Sequence, residues 1–193
     1  MQLRPVGRTA VLVEVSDTQE AVSLAAFTRE RSLARDVVPG ARTVLLDGLV
    51  DRDGLAGTLA DWTPAEAHPG PEVEIAMVYD GPDLGDVAEQ WGCNVDEVVA
   101  RHRTTRFVAA FCGFAPGFAY LAGIEVPVRR LATPRTRVPA GSVALADRWC
   151  GVYPTASPGG WRIIGRTEAT LWDVDRDPPA LLAPGTRVRF VAA

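Results

Sequence analysis

The candidate chemistry of this chain concentrates between residues 101 and 193, which hold 13 of its 20 basic residues, His102 and two segments of Gly, Pro and aromatics. The first segment is Phe111-Cys-Gly-Phe-Ala-Pro-Gly-Phe-Ala-Tyr-Leu121 and the second Ser157-Pro-Gly-Gly-Trp161. Gly reaches backbone conformations closed to other residues, whereas Pro fixes φ and removes a donor, so their alternation specifies shaped loops rather than regular structure. Such loops either hold a ligand or cover a core. Between them, Arg129-Arg-Leu-Ala-Thr-Pro-Arg-Thr-Arg-Val-Pro-Ala-Gly-Ser142 sets four Arg among prolines and ends in Gly-Ser. A guanidinium fork suits carboxylate or phosphate, and the Gly141-Ser142 amides can form an anion nest, so the segment outlines an anion site; a solvated Arg-rich loop has the same composition. His102 ends a helical stretch flanked by Arg101 and Arg103 and precedes the strand leading into the first loop. It either reaches the ligand of that loop or complements the negative end of a helix dipole. Tyr153 and Trp161, seen singly, read as core residues.

Several chemistries are excluded. All 20 basic residues are Arg, so the chain supplies no P-loop lysine, Schiff base or lysine general base. It lacks G-x-S-x-G, H-E-x-x-H and G-x-G-x-x-G, and two histidines make no histidine-rich metal cluster; no metal is expected. Cys93, Cys112 and Cys150 are odd in number without C-x-x-C spacing, which argues against disulfides and structural zinc and for reduced, packed thiols. No stretch approaches the roughly 20 apolar residues of a membrane span and no leader opens the chain, so a cytoplasmic location is expected. Residues 1–100 carry 18 acids and seven Arg, residues 101–193 six acids and 13 Arg. The basic half has no basic helix or aromatic-basic signature of nucleic-acid binding, and the asymmetry reads as two domains, the second built for an anion.

The elements that position these residues follow in order. Residues 8–15 predict a strand, and Asp17 or Thr18 caps a helix with Ala21, Val22, Leu24, Ala25, Phe27 and Leu33 on one side. Val37-Val38 and Thr43–Leu46 flank Pro39-Gly40 as a hairpin or one bent strand; Asp51–Trp62 predicts a helix and Val73–Tyr79 a half-buried strand. This β-α-β-β-α-β order is ferredoxin-like and spans residues 1–80. Helices over Leu84–Trp91 and Val95–Arg103, the second capped by Asn94, make residues 81–103 a helical connection. His68, in a proline-rich segment, is expected to be exposed. From residue 104 the texture is all-β, with strands at Arg106–Phe111, Ser142–Ala146, Gly151–Tyr153, Arg162–Gly165 and Arg187–Val191, and a small closed barrel over 104–193.

Gly113-Phe-Ala-Pro-Gly-Phe-Ala-Tyr-Leu121, Pro134-Arg135, Val138-Pro-Ala-Gly-Ser-Val143, Gly151-Val-Tyr-Pro154, Ser157–Trp161 and Ile164-Gly-Arg-Thr167 together match one pattern. The chain resembles the allophanate hydrolase subunit 1 family, known also through the kinase inhibitor KipI and the PxpB-like B subunit of 5-oxoprolinase. The resemblance implies an α+β fold with a cyclophilin-like β-barrel behind the N-terminal domain. It implies a hydrolase subunit, weak or inactive alone, that pairs with a KipA-type subunit 2 and in one version with a LamB/YcsF-type protein. The pair would use ATP, shared with the partner, on a small amide or lactam such as 5-oxoproline. The alternative it implies is a KipI-like inhibitor of a sensor histidine kinase. Carried over residue by residue, it implies catalytic roles for His102 (acid/base or donor) and for Arg130 and Arg135 (anion clamps). It implies substrate contacts from Phe114, Pro116, Gly117, Ser142, Tyr153, Gly159, Gly160 and Trp161, next to Pro158. Three positions depart: Arg129 replaces a usual Pro, Trp149 a frequent Gln, and Thr186 the Asp of Pro-Gly-Asp. Trp149 would remove an amide from the expected pocket.

Overall fold

A computed structural model describes residues 1–64 and 70–193, so His68 lies outside the described residues. The chain forms two compact units, Met1–Gly70 and Pro71–Ala193.

In the first unit, β1 (Gln2–Val6), β2 (Ala10–Glu14), α1 (Thr18–Glu30), β3 (Ala34–Pro39), β4 (Thr43–Leu49) and α2 (Leu55–Ala60) follow in order. The four strands form one antiparallel sheet, β1-β2-β4-β3. Asp17 caps α1 by accepting from the Glu20 amide at 2.9 Å, which satisfies one of the amides a helix start leaves open. The apolar side of α1, through Ala21, Leu24 and Ala25, packs with Val11, Val13, Val44 and Leu46 of the sheet and Leu55 and Leu59 of α2. Pro39-Gly40 turns a hairpin: Pro39 stands opposite Val44.

This arrangement differs from the ferredoxin-like order expected over residues 1–80. Gln2–Val6 is a strand, hidden from pattern reading because Arg4 and Pro5 spoil its alternation, whereas the strand expected at 73–79 leaves the unit. That strand, β5 (Glu72–Met77), runs parallel to β13 (Arg187–Ala192) in the second unit, with Glu72 opposite Arg187 and Met77 opposite Ala192. Its inward residues Ile75 and Met77 are buried there. The expected helical connection also belongs to this unit, as α3 (Leu84–Trp91) and α4 (Val95–Thr104), whose Leu84, Val87, Ala88 and Val98 enter the same core. A capping box between Asn94 and Glu97 starts α4.

The remaining strands are β6 (Phe107–Cys112), β7 (Ala119–Ala122), β8 (Arg135–Val138), β9 (Ser142–Ala146), β10 (Trp149–Val152), β11 (Ser157–Gly159) and β12 (Arg162–Arg166). Seven strands form a sheet ordered β12-β9-β10-β7-β6-β13-β5. Its ends meet where Val78, one residue past β5, exchanges two 2.9 Å backbone hydrogen bonds with Arg166 of β12, so the sheet nearly closes into a barrel and has no long free edge there. Gly165 permits this closure, since a Cβ there would stand 2.2 Å from the Val78 carbonyl oxygen. All of β9 is buried: Val143 and Leu145 face the barrel core, and Ala144 and Ala146 face a second, outer cluster of Phe118, Val138, Tyr153, Trp161 and Ile163. A two-stranded ribbon, β11-β8, lies beside that cluster. The barrel expected over 104–193 therefore also needs β5.

Candidate functional site

The two loop segments singled out by composition converge on the outer cluster. Phe111–Leu121 is a hairpin: β6 and β7 are its arms and Gly113–Phe118 its turn, in which the Gly113 amide donates to the Phe118 carbonyl at 3.2 Å. Alternation along β7 then sends Phe118 and Tyr120 outward. Trp161 stands edge-on to both, at centroid separations of 5.4 and 5.6 Å, and Tyr153 stands edge-on to Phe118 at 5.5 Å. Edge-to-face contacts of this kind contribute about 0.5–1.5 kcal/mol each beyond burial, so the group is a rigid platform.

Over it lies a cavity of about 140 Å³ lined by Phe114, Phe118, Tyr120, Arg130, Tyr153, Pro158, Gly159, Gly160 and Trp161. Seven of its nine residues, Phe114, Arg130, Tyr153, Pro158, Gly159, Gly160 and Trp161, were singled out from the sequence. Phe114 holds φ at +70° and is 61% exposed, a left-handed conformation that costs a bulky side chain about 1–3 kcal/mol. Its ring lies edge-on to Phe118 and Tyr153. Gly159 is needed for close approach, because a Cβ there would stand 2.3 Å from Tyr153 Oη. Tyr153 is buried, which pushes its phenol up; a hydrogen bond with the Trp161 backbone and the charges of Arg130 and Arg135 oppose that shift. Arg130 is exposed, with its guanidinium 5.8 Å from the Trp161 ring centroid, and among the described residues no carboxylate pairs with it. The pocket thus offers aromatic walls, a phenol and an uncommitted cation.

The other expected residues stand elsewhere. Arg135 is paired with Asp83, Nη2 to Oδ1 at 2.8 Å, and lies beside the pocket without lining it. Pro116 is exposed on the turn, and Gly117 packs against Leu171 and Trp172, where a Cβ would meet Trp172 Cβ at 2.9 Å. The Gly141-Ser142 nest is not free: the Gly141 amide donates to the Tyr153 carbonyl at 2.8 Å and the Ser142 amide to the Pro139 carbonyl at 3.3 Å. Those bonds place the segment where it stitches β9 to its neighbours, and its amides have no capacity left for an anion.

His102 is separated from the pocket altogether. Its imidazole is fully buried on the barrel-core side, tilted against Phe107 and Phe190, with Nδ1 2.8 Å from Tyr79 Oη and Nε2 3.4 Å from Cys150 Sγ. Burial lowers its pKa to about 3 and pushes up the Tyr79 and Cys150 groups, so the trio is neutral at pH 7. A histidine with no solvent exposure and no contact with the cavity does not exchange protons with a ligand there. Trp149 stands behind Tyr120 and Phe111, edge-on at 6.0 and 5.2 Å, and supports the wall without lining the cavity. Among the described residues no group of three or more His, Cys, Asp or Glu is placed to hold a metal, and no helix is long and apolar enough to cross a membrane.

Sequence reasoning missed Phe118 and Tyr120 as lining residues, although their two-residue spacing at the start of β7 carried the signal. Asp83 was also missed, since a carboxylate ahead of α3 has no local mark of burial.

A small barrel with an aromatic, cation-edged pocket on its outer face describes the class of fold. The sequence matches the family described as carboxyltransferase domain, subdomain C and D, over residues 1–182, and the chain belongs to it. It is 39% identical over 207 residues to the B subunit of 5-oxoprolinase from Escherichia coli O157:H7, covering 96% of this chain and 93% of that one. It is 33% identical over 207 residues to the 5-oxoprolinase B subunit of Haemophilus influenzae, covering 99% and 97%. The solved structure of TTHA0988 matches all of this chain with a TM-score of 0.80 and 32% identity, and the match spans 40% of that longer chain.

Proposed function

We propose that the chain is the B-type component of a two-part, ATP-dependent amidohydrolase of the 5-oxoprolinase or allophanate hydrolase type, and that its aromatic pocket holds a small amide or lactam such as 5-oxoproline. The observation that carries the reading is the cavity itself. Drug-sized ligands occupy pockets of about 300–1,000 Å³, whereas this one measures about 140 Å³ and suits a five-membered ring. The mutually edge-on rings of Phe118, Tyr120 and Trp161 would wall the lactam on its apolar sides, and the Tyr153 hydroxyl would donate to its carbonyl oxygen. Arg130, the uncommitted cation at the rim, would take the carboxylate through charge-assisted hydrogen bonds. The names of the E. coli and H. influenzae relatives agree with this substrate class.

A nucleotide does not fit the same cavity, and the chain has no lysine to meet its phosphates, so in this reading ATP sits outside the pocket and is shared with the partner. The partner would be a KipA-type subunit 2, joined where required by a LamB/YcsF-type protein, in the cytoplasm. His102 keeps a place as a structural hydrogen-bonding group of the core. The test is reconstitution: the chain is mixed with its subunit 2 and a LamB/YcsF-type protein, and glutamate release from 5-oxoproline is followed with and without ATP. ATP-dependent release that falls at least tenfold in Arg130→Ala is expected, about the effect of one lost charge-assisted bond. Absence of release from the complete mixture refutes the proposal.

A further inference from the structure

A second cleft opens at the other end of the β6-β7 hairpin from the aromatic cavity. Its volume is about 550 Å³, within the range of about 300–1,000 Å³ that ligand pockets occupy. Arg101, Thr104 and Thr105 at the end of α4, Arg106 just ahead of β6, residues 123–126 just past β7 and Trp91 at the end of α3 line it. Both of its cations are available. Among the described residues no carboxylate pairs with Arg101, and Arg106 meets only Glu72, at 3.7 Å with both side chains exposed, a screened contact that gives way to a better acceptor. The open carbonyls of a helix end ordinarily disfavour an anion. Here Thr104 Oγ1 donates to the Ala100 and Arg101 carbonyls at 2.9 and 3.1 Å, and the Thr105 amide and hydroxyl donate to the Arg101 carbonyl at 3.0 and 2.7 Å, which covers two of those acceptors. Trp91 is anchored, because its Nε1–H donates to the Val126 carbonyl at 3.1 Å and the Arg101 guanidinium stands 5.9 Å from its ring centroid. With Ile124 and Val126 it forms an apolar wall, and Glu125 is the one carboxylate in the lining.

We propose that this cleft binds a nucleoside phosphate. Arg101 and Arg106 take the phosphate groups through their guanidinium forks, the base lies against the Trp91 wall, and Glu125 accepts from the hydroxyls of the sugar or the amino group of the base. Two arginines alone would suit any small anion; the wall and the carboxylate are what a free phosphate would leave unused. The six residues of β6 separate the cleft from the Gly113–Phe118 turn by on the order of 20 Å, at about 3.4 Å per residue. The nucleotide is therefore held apart from the ligand of the aromatic cavity, and the site does not depend on the lactam reading.

The test is equilibrium dialysis of the full chain against ADP, adenosine and inorganic phosphate at low salt. Wild type should bind ADP at least about tenfold more tightly than adenosine or phosphate, and the affinity should fall as salt is raised. Arg101→Gln and Arg106→Gln, both at exposed positions, should each weaken ADP by about tenfold, the effect of one lost charge-assisted bond. Arg130→Ala, at the aromatic cavity, should leave ADP within about twofold, and thermal unfolding checks that all three variants are folded. Phosphate that binds as tightly as ADP marks a site for small anions and overturns the nucleoside class. Wild type that does not bind ADP, unchanged ADP affinity in either Arg101→Gln or Arg106→Gln, or an equal loss in Arg130→Ala overturns the site itself.

Discussion

Acid should unfold the barrel through His102. The folded imidazole has a pKa of about 3 because it is fully buried, whereas in the unfolded chain a histidine titrates near 6.5. Between those values the unfolded state binds one proton more than the folded state, so stability is complete above pH 6.5 and is lost as pH falls towards 3. One pKa unit corresponds to about 1.36 kcal/mol, which makes the loss about 2.7 kcal/mol at pH 4.5 and about 5 kcal/mol at its limit. Against a total stability of about 5–15 kcal/mol this single group removes a sizeable share of the margin in mild acid. Urea unfolding at pH 7, 6, 5 and 4.5, followed by tryptophan fluorescence, measures it, since Trp91, Trp149, Trp161 and Trp172 all lie in the second unit. The comparison is with His102→Asn. Its cavity cost does not depend on pH and drops out of the slope, so the wild type should lose about 1.4 kcal/mol per pH unit more than the variant. Parallel slopes, or an NMR resonance of His102 that titrates near 6.5, would refute the argument.

Two further predictions concern the pocket. Phe114→Gly should leave stability within about 1 kcal/mol of wild type, because relief of the strain at φ of +70° is offset by loss of the two edge-on contacts and by the backbone entropy of Gly, while it removes a cavity wall and weakens 5-oxoproline binding; thermal unfolding and fluorescence titration read the two effects separately. Gly159→Ala should drive a methyl into Tyr153 Oη and cost about 1–3 kcal/mol as overpacking, with loss of lactam binding, and an unchanged melting temperature would show that the ribbon gives way.

What the sequence disclosed depends on how local each signal is. The α1 and α4 helices were legible because their caps, Asp17 and Asn94, lie within a few residues of their apolar faces, and α3 was legible from its apolar face alone. The allegiance of β5 was not, since the partner that claims it lies more than 100 residues later at β13, and periodicity carries no information about partners. The site divides the same way. Trp161, Gly159 and Phe114 were reached through the family pattern their segments match, since Trp161 seen singly reads as a core residue, and Arg130 also through its proline-spaced company. His102 pointed the wrong way because its neighbours in sequence, Arg101 and Arg103, are charged, whereas its neighbours in space are Phe107 and Phe190. A helix that ends against a barrel turns one residue of its last turn into the core and leaves the flanking two in water. His102 is that residue, and its burial rather than its chemistry explains why an imidazole surrounded by arginines in sequence is neutral in the fold.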